Sequence, residues 1–111
     1  MKWVETHEGI LFNFSFAKSI YLSEWEEQFD RFSIVEVELI DGSLYELTPT
    51  PFEILDENEI PTGNIYTQNE HDIFLDVLVE FFTTTDLVQP YKHEYYIEII
   101  DGLFQKRMKN G

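Results

Sequence analysis

Asn69-Glu70-His71-Asp72-Ile73-Phe74-Leu75-Asp76-Val77-Leu78-Val79-Glu80-Phe81-Phe82 is the stretch whose reading decides the fold. At about 100° per residue, Asp72, Asp76 and Glu80 fall within one strip of roughly 80°. Ile73, Phe74, Val77, Leu78 and Phe81 make one face suited to a core, and Leu75, Val79 and Phe82 make a flanking seam. The spacing predicts a helix over 69–82, capped by Asn69 with Asp72 three residues on. A helix apolar on most of its girth has to be covered on two sides. Its acidic strip carries like charges at i, i+4 spacing, which costs about 0.2–0.5 kcal/mol per pair. Glu80 also lies near the helix end where the backbone dipole disfavours anions.

On the N-terminal side, Ile10, Phe12, Phe14 and Phe16 alternate with less apolar neighbours, the period of a half-buried strand, and Trp3-Val4 adds a short strand before it. Ser23 followed by Glu26 reads as a capping box. Trp25, Phe29 and Phe32 then recur at i, i+4, i+7, so a second helix is expected over 23–32, with Glu24, Glu26, Glu27 and Asp30 available to solvent. Val35, Val37 and Leu39 alternate with Glu36 and Glu38, turn at Asp41-Gly42 and return through Leu44-Tyr45-Glu46-Leu47, a hairpin pattern. Pro49 and Pro51 end that ladder because neither has a backbone donor. Phe52 to Leu55 reads as an edge strand, Asp56 to Asn64 as an acidic loop, and Ile65-Tyr66-Thr67 as a short strand.

On the C-terminal side, Tyr95, Ile97 and Ile99 alternate up to a turn at Asp101-Gly102, and Leu103 to Arg107 returns as its partner strand. Lys106 to Gly111 reads as a basic, fraying end. Together these elements specify a single α+β domain over 1–111: a mainly antiparallel sheet of about five to seven short strands with two helices, at 23–32 and 69–82. Val37-Glu38-Leu39-Ile40-Asp41-Gly42 aligns with Ile97-Glu98-Ile99-Ile100-Asp101-Gly102, so two β-α-β-β halves are one arrangement the order allows.

Composition bounds the function. Ten Phe, six Tyr and two Trp supply an aromatic core, and 22 acidic against 7 basic residues leave a net charge of −15. Between Ser19 and Tyr91 stand 17 acidic residues and one basic one, Arg31, so the charge belongs to the body of the domain. An acidic chain this rich in aromatics folds instead of remaining disordered. Such a field repels nucleic acid and anionic membranes and attracts basic proteins. The opening residues lack the charge pattern of a signal peptide, and Ile10 to Phe16 is too short to span a bilayer, so a cytoplasmic location is expected.

Catalytic chemistry is not signalled. Cysteine is absent, which removes thiol nucleophiles, thiolate zinc sites and disulfides. There is no Gly-rich phosphate loop and no nucleophile elbow. His7, His71 and His93 lack metal-helix spacing, and His71 reads as a surface imidazole in the first turn of its helix. The acidic loop at Asp56 and Asn58 lacks the calcium-loop pattern. No catalytic residue, metal ligand or cofactor is therefore assigned.

The expectation is an acidic inhibitor or immunity-type protein. It would bind a basic nuclease, or another nucleic-acid-binding enzyme, through Asp72, Asp76 and Glu80 together with Glu24, Glu26, Glu27 and Asp30. Successive i, i+4 carboxylates advance about 6 Å and can present charge to Lys and Arg as a phosphate backbone does. In size and charge this resembles the strategy of phage-encoded DNA mimics and of immunity proteins. The alternative is a structural or assembly subunit, of phage type or otherwise, in which Leu75, Val79 and Phe82 cover one another in a homodimer.

Overall fold

The computed structural model describes residues 2–27, 30–85 and 90–110. Strands β1 (Trp3–Glu5) and β2 (Leu11–Asn13) pair antiparallel, and a 3₁₀ turn over Phe14–Phe16 follows. Then comes a three-stranded antiparallel meander, β3 (Ala17–Glu27), β4 (Asp30–Leu39) and β5 (Leu44–Pro49), and a small hairpin of β6 (Glu53–Leu55) and β7 (Pro61–Ile65). Helices α1 (Gln68–Thr84) and α2 (His93–Asn110) end the chain. The class is α+β, with antiparallel strands in three small sheets and two helices.

The central meander follows from alternation. Ile20 and Leu22 of β3 lie opposite Val37 and Val35 of β4, and these apolar pairs turn one face of the sheet to the core. Gly42 takes φ of +90° in the β4–β5 turn, a conformation without steric cost only for glycine. An irregularity in the β4–β5 ladder between Val35 and Glu36 sets both Leu47 and Thr48 inside, as a bulge can.

Helix α1 forms where its periodicity places it, and its start is one step earlier than Asn69. Thr67 is the cap: its hydroxyl accepts from the Glu70 N–H at 3.2 Å, and its own N–H donates to the Glu70 carboxylate at 2.9 Å. Phe74, Val77, Leu78 and Phe81 are buried as the apolar face requires. The flanking seam is covered within the chain. Phe82 is fully buried among Phe14, Phe81, Tyr91 and Tyr96, with ring centroids 5.0–5.8 Å away, and Leu75 and Val79 are half-buried.

Two expectations are overturned. Residues 23–32 are not a helix: β3 and β4 run through them, paired from Ser19↔Glu38 to Glu27↔Asp30, and Ser23 lies inside β3 instead of at a helix start. Gln28 and Phe29 lie outside the described residues. The period-two pattern of Ile20, Leu22, Val35 and Val37 prevails because a whole ladder rests on it. Residues 95–107 are not a hairpin either but the body of α2. Tyr96, Ile100 and Phe104 recur at i, i+4, i+8 and are each 0% exposed, so packing of a helical stripe overrides the strand-like run of isoleucines. With both replacements, the order of elements is not two β-α-β-β halves.

The two helices pack against each other. Phe74 meets Phe104 edge-on at 5.5 Å, and Phe82 meets Tyr96 at 5.0 Å. The N-terminal strand closes the other side: the Glu5 N–H donates to Tyr91 O at 2.9 Å and the Tyr91 N–H to Trp3 O at 2.8 Å. Lys2 Nζ donates to the carbonyl of Phe82, placing a cation at the α1 C-terminus, where the helix has no basic residue of its own.

Candidate functional site

Asp72, Asp76 and Glu80 all emerge on the exposed side of α1, held there by the buried Phe74, Val77, Leu78 and Phe81 behind them. They differ in what they touch. Asp72 accepts from the Gln68 amide at 3.3 Å, and neither it nor Asp76 has a Lys or Arg partner among the described residues. Glu80 does: Arg107 Nη2 of α2 stands 2.8 Å from its Oε2. The row therefore presents two carboxylates without a described cationic partner and a third already paired with one. Sequence reasoning missed the arginine because 103–107 read as a strand and 106–111 as a loose end.

The second acidic group is rearranged. Glu24 is exposed on β3, directly across the ladder from Ser33. Glu26, Glu27 and Asp30 belong to the far end of the same β-ladder, and their side chains lie outside the described residues. These four acids are on a hairpin, so they do not form a second helical row.

A feature invisible in the linear pattern is a groove of about 870 Å³ between the β6–β7 hairpin and α2. Phe52, Leu55 and Tyr66 supply apolar surface, and Glu53, Asp56, Glu57, Glu59 and Asp101 supply carboxylates. Lys109 is the one base among its lining residues. The shape of the hairpin tip is set locally: the Asp56 carboxylate accepts from the N–H groups of Asn58 and Ile60 at 2.8 and 3.0 Å, and Glu59 takes φ of +62°. Tyr66 accepts from the Gln105 amide at 2.8 Å, which ties the floor to α2. Asp56, Glu57 and Glu59 were legible as an acidic loop; Asp101 joins them only because α2 is helical.

The outer face of the meander adds opposed charges. Glu36 and Glu46 are cross-strand partners, and like charges so placed are destabilising. The Tyr21 hydroxyl donates to Glu36 Oε2 at 3.1 Å. Loss of hydration, followed by the bond to Glu36 and the nearby carboxylates, holds the Tyr21 phenol above its ordinary range.

The histidines are structural to differing degrees. His71 is not a surface imidazole: it is 3% exposed. Its Nε2 lies 3.0 Å from Pro51 O; a carbonyl only accepts, so the Nε2–H donates there, and Nδ1 stands 3.2 Å from the Ser33 hydroxyl. Ser33 also contacts the Thr50 hydroxyl, so the imidazole joins α1 to β4 and to the β5–β6 connection. Ser33 resembles a nucleophile beside a base, yet it is 5% exposed and closed off from substrate.

His93 caps a separate junction. Its Nε2 is 3.0 Å from the Thr48 hydroxyl and its N–H donates to Glu5 Oε1 at 3.1 Å. Burial, then the neighbouring His7, lower its pKa against the opposing pull of Glu5. Tyr96 donates to Glu5 O at 2.6 Å, and burial pushes its phenol far up.

His7, Glu8 and Glu46 bring one ligand atom each within 4.8 Å of one another. Among the described residues they form a group able to hold a metal ion, through one imidazole nitrogen and two carboxylate oxygens. The backbone bond from the His7 N–H to Leu47 O at 2.9 Å produces this proximity, and no linear spacing signals it. Glu8 and Glu46 are both exposed, and among the described residues the imidazole Nε2 of His7 has no hydrogen-bond partner, Glu8 Oε1 standing 3.7 Å away.

No described helix is long and apolar enough to cross a membrane. No family model, curated protein or solved structure matches this chain.

Proposed function

We propose that this chain is a non-enzymatic binding protein that docks on a basic partner, in the manner of inhibitors and immunity proteins that cover a nucleic-acid-binding surface. The observation that carries this reading is the groove between β6–β7 and α2. It sets five carboxylates around an aromatic floor with a single lysine opposite. Such a surface suits Lys and Arg side chains, whose stems lie on apolar surface while their heads meet carboxylates. The pair Asp72 and Asp76 extends the same preference along α1, about 6 Å apart in axial rise. A net charge of −15 would speed the approach of a cationic protein, with a strong dependence on salt. The buried Ser33 and His71 leave no accessible nucleophile in that pair, which favours binding over turnover.

The test is a titration with an arginine-rich peptide, followed by recovery of partners from cells at low and high salt. Glu57→Lys/Glu59→Lys and Asp72→Lys/Asp76→Lys are each compared with Asp41→Lys/Glu46→Lys, which changes the charge equally at two exposed positions of the β4–β5 hairpin that do not line the groove. Selective loss with the first two variants, together with recovery of a nucleic-acid-acting protein, supports the reading. Equal effects of all three would reduce the acidity to solubility and overturn it.

A further inference from the structure

An apolar strip of α2 is left largely exposed among the described residues. Tyr95, Ile99 and Leu103 recur every fourth residue and are 64%, 43% and 43% exposed, on a strip about 100° round the helix from the buried Tyr96, Ile100 and Phe104, with Leu103 at its edge beside Val77 and Phe81 of α1. Gly102 lies beside the same strip. A Cβ there would meet nothing within 4 Å, and no turn requires the glycine, since it is inside the helix. Mid-helix glycine costs about 1 kcal/mol relative to alanine, so neither packing nor backbone conformation of the single chain accounts for it. A second helix lying close against this face would use the missing side chain.

Charge identifies the occupant. The charged positions beside this strip are acidic in the first half of α2, Glu94 and Glu98, and basic in the second, Lys106 and Lys109; Asp101 faces the β6–β7 groove and Arg107 pairs with Glu80. A parallel copy would set like charge against like; an antiparallel copy sets acid against base along the whole length. We propose that α2 packs against α2 of a second copy of this chain about a two-fold axis. With Ile99 of each copy beside Leu103 of the other, Glu94 comes level with Lys109 and Glu98 with Lys106 of the other copy, to within about 3 Å of axial rise. Arg107 remains with Glu80 of its own chain. The antiparallel arrangement also opposes the two helix dipoles. The contact is distinct from the seam Leu75, Val79 and Phe82, which is covered internally.

The experiment is sedimentation equilibrium of the full chain at several concentrations and fixed salt. The expected result is a monomer–dimer equilibrium, weakened by Ile99→Glu/Leu103→Glu at least tenfold. Both positions are exposed, so circular dichroism of the variant should retain the wild-type fold. Glu94→Lys/Glu98→Lys should also weaken the dimer, although it lowers the overall repulsion between two acidic chains. Adding Lys106→Glu/Lys109→Glu to that same chain should restore association, because opposite signs again face each other. A wild type that is monomeric at every concentration overturns the proposal. So does a dimer indifferent to Ile99→Glu/Leu103→Glu, or one that the restored charge pattern fails to rescue.

Discussion

Arg107 and Glu80 join the two helices across a 2.8 Å ion pair, the one ion pair on the acidic row of α1 among the described residues. Both side chains are substantially exposed, so the pair is worth about 0–1 kcal/mol. Arg107→Ala should therefore change stability toward urea only slightly. It should at the same time tighten binding of a cationic peptide at low salt by freeing the Glu80 carboxylate, as calorimetry would register. Unchanged or weaker binding would mean that the row does not take part.

Asp76 occupies the centre of that row. Asp76→Lys replaces two repulsive i, i+4 relations with two attractive ones, so the fold should gain up to about 2 kcal/mol from exposed pairs. Chemical denaturation measures that gain. Loss of cationic-peptide binding in a more stable protein would separate a functional carboxylate from a merely tolerated one.

Phe82 is in contact with four aromatic rings at the meeting point of α1, α2 and the 3₁₀ turn. Phe82→Ala should cost about 3–5 kcal/mol, a large share of the 5–15 kcal/mol typical of a domain. Equilibrium urea unfolding tests it; a loss under about 1 kcal/mol would contradict its place in the core.

Two capping threonine and serine positions give opposite expectations. Thr67→Ala removes a cap that satisfies the start of α1 and should cost about 1 kcal/mol. Ser23 lies in β3 and caps nothing, so Ser23→Ala should stay within about 0.5 kcal/mol. Thermal melts of both variants compare them directly.

His93 makes the fold acid-sensitive. Its pKa is lowered in the folded protein by burial and by His7, so the unfolded chain binds the proton more readily. The stability it supplies is present above the unfolded value of about 6.5 and is lost as pH falls through that value toward the depressed folded one. The melting temperature should drop on acidification from about pH 8 to about pH 5, and His93→Gln should flatten that dependence. A melting temperature that rises as the pH falls would reverse the assigned sign.

The linear pattern of Asn69 to Phe82 was enough to establish α1, its buried side and its acidic strip, because helical periodicity over four turns is a local property. The β4–β5 hairpin was legible for the same reason: alternation and an Asp-Gly turn act over adjacent residues. The α+β class and the net charge also follow from the chain alone. Tertiary structure alone decided the segments with two acceptable periods. Trp25, Phe29 and Phe32 fit a helix, yet β3 is held extended by β4; Ile97, Ile99 and Ile100 fit a strand, yet Tyr96, Ile100 and Phe104 are drawn into one buried stripe. In each case the free energy of burying a face against distant partners outweighs a weak local preference. The acidic groove, the Arg107–Glu80 link and the exposed strip of α2 all depend on those two outcomes. Contacts between residues far apart in the chain created them, and no spacing along it records such contacts.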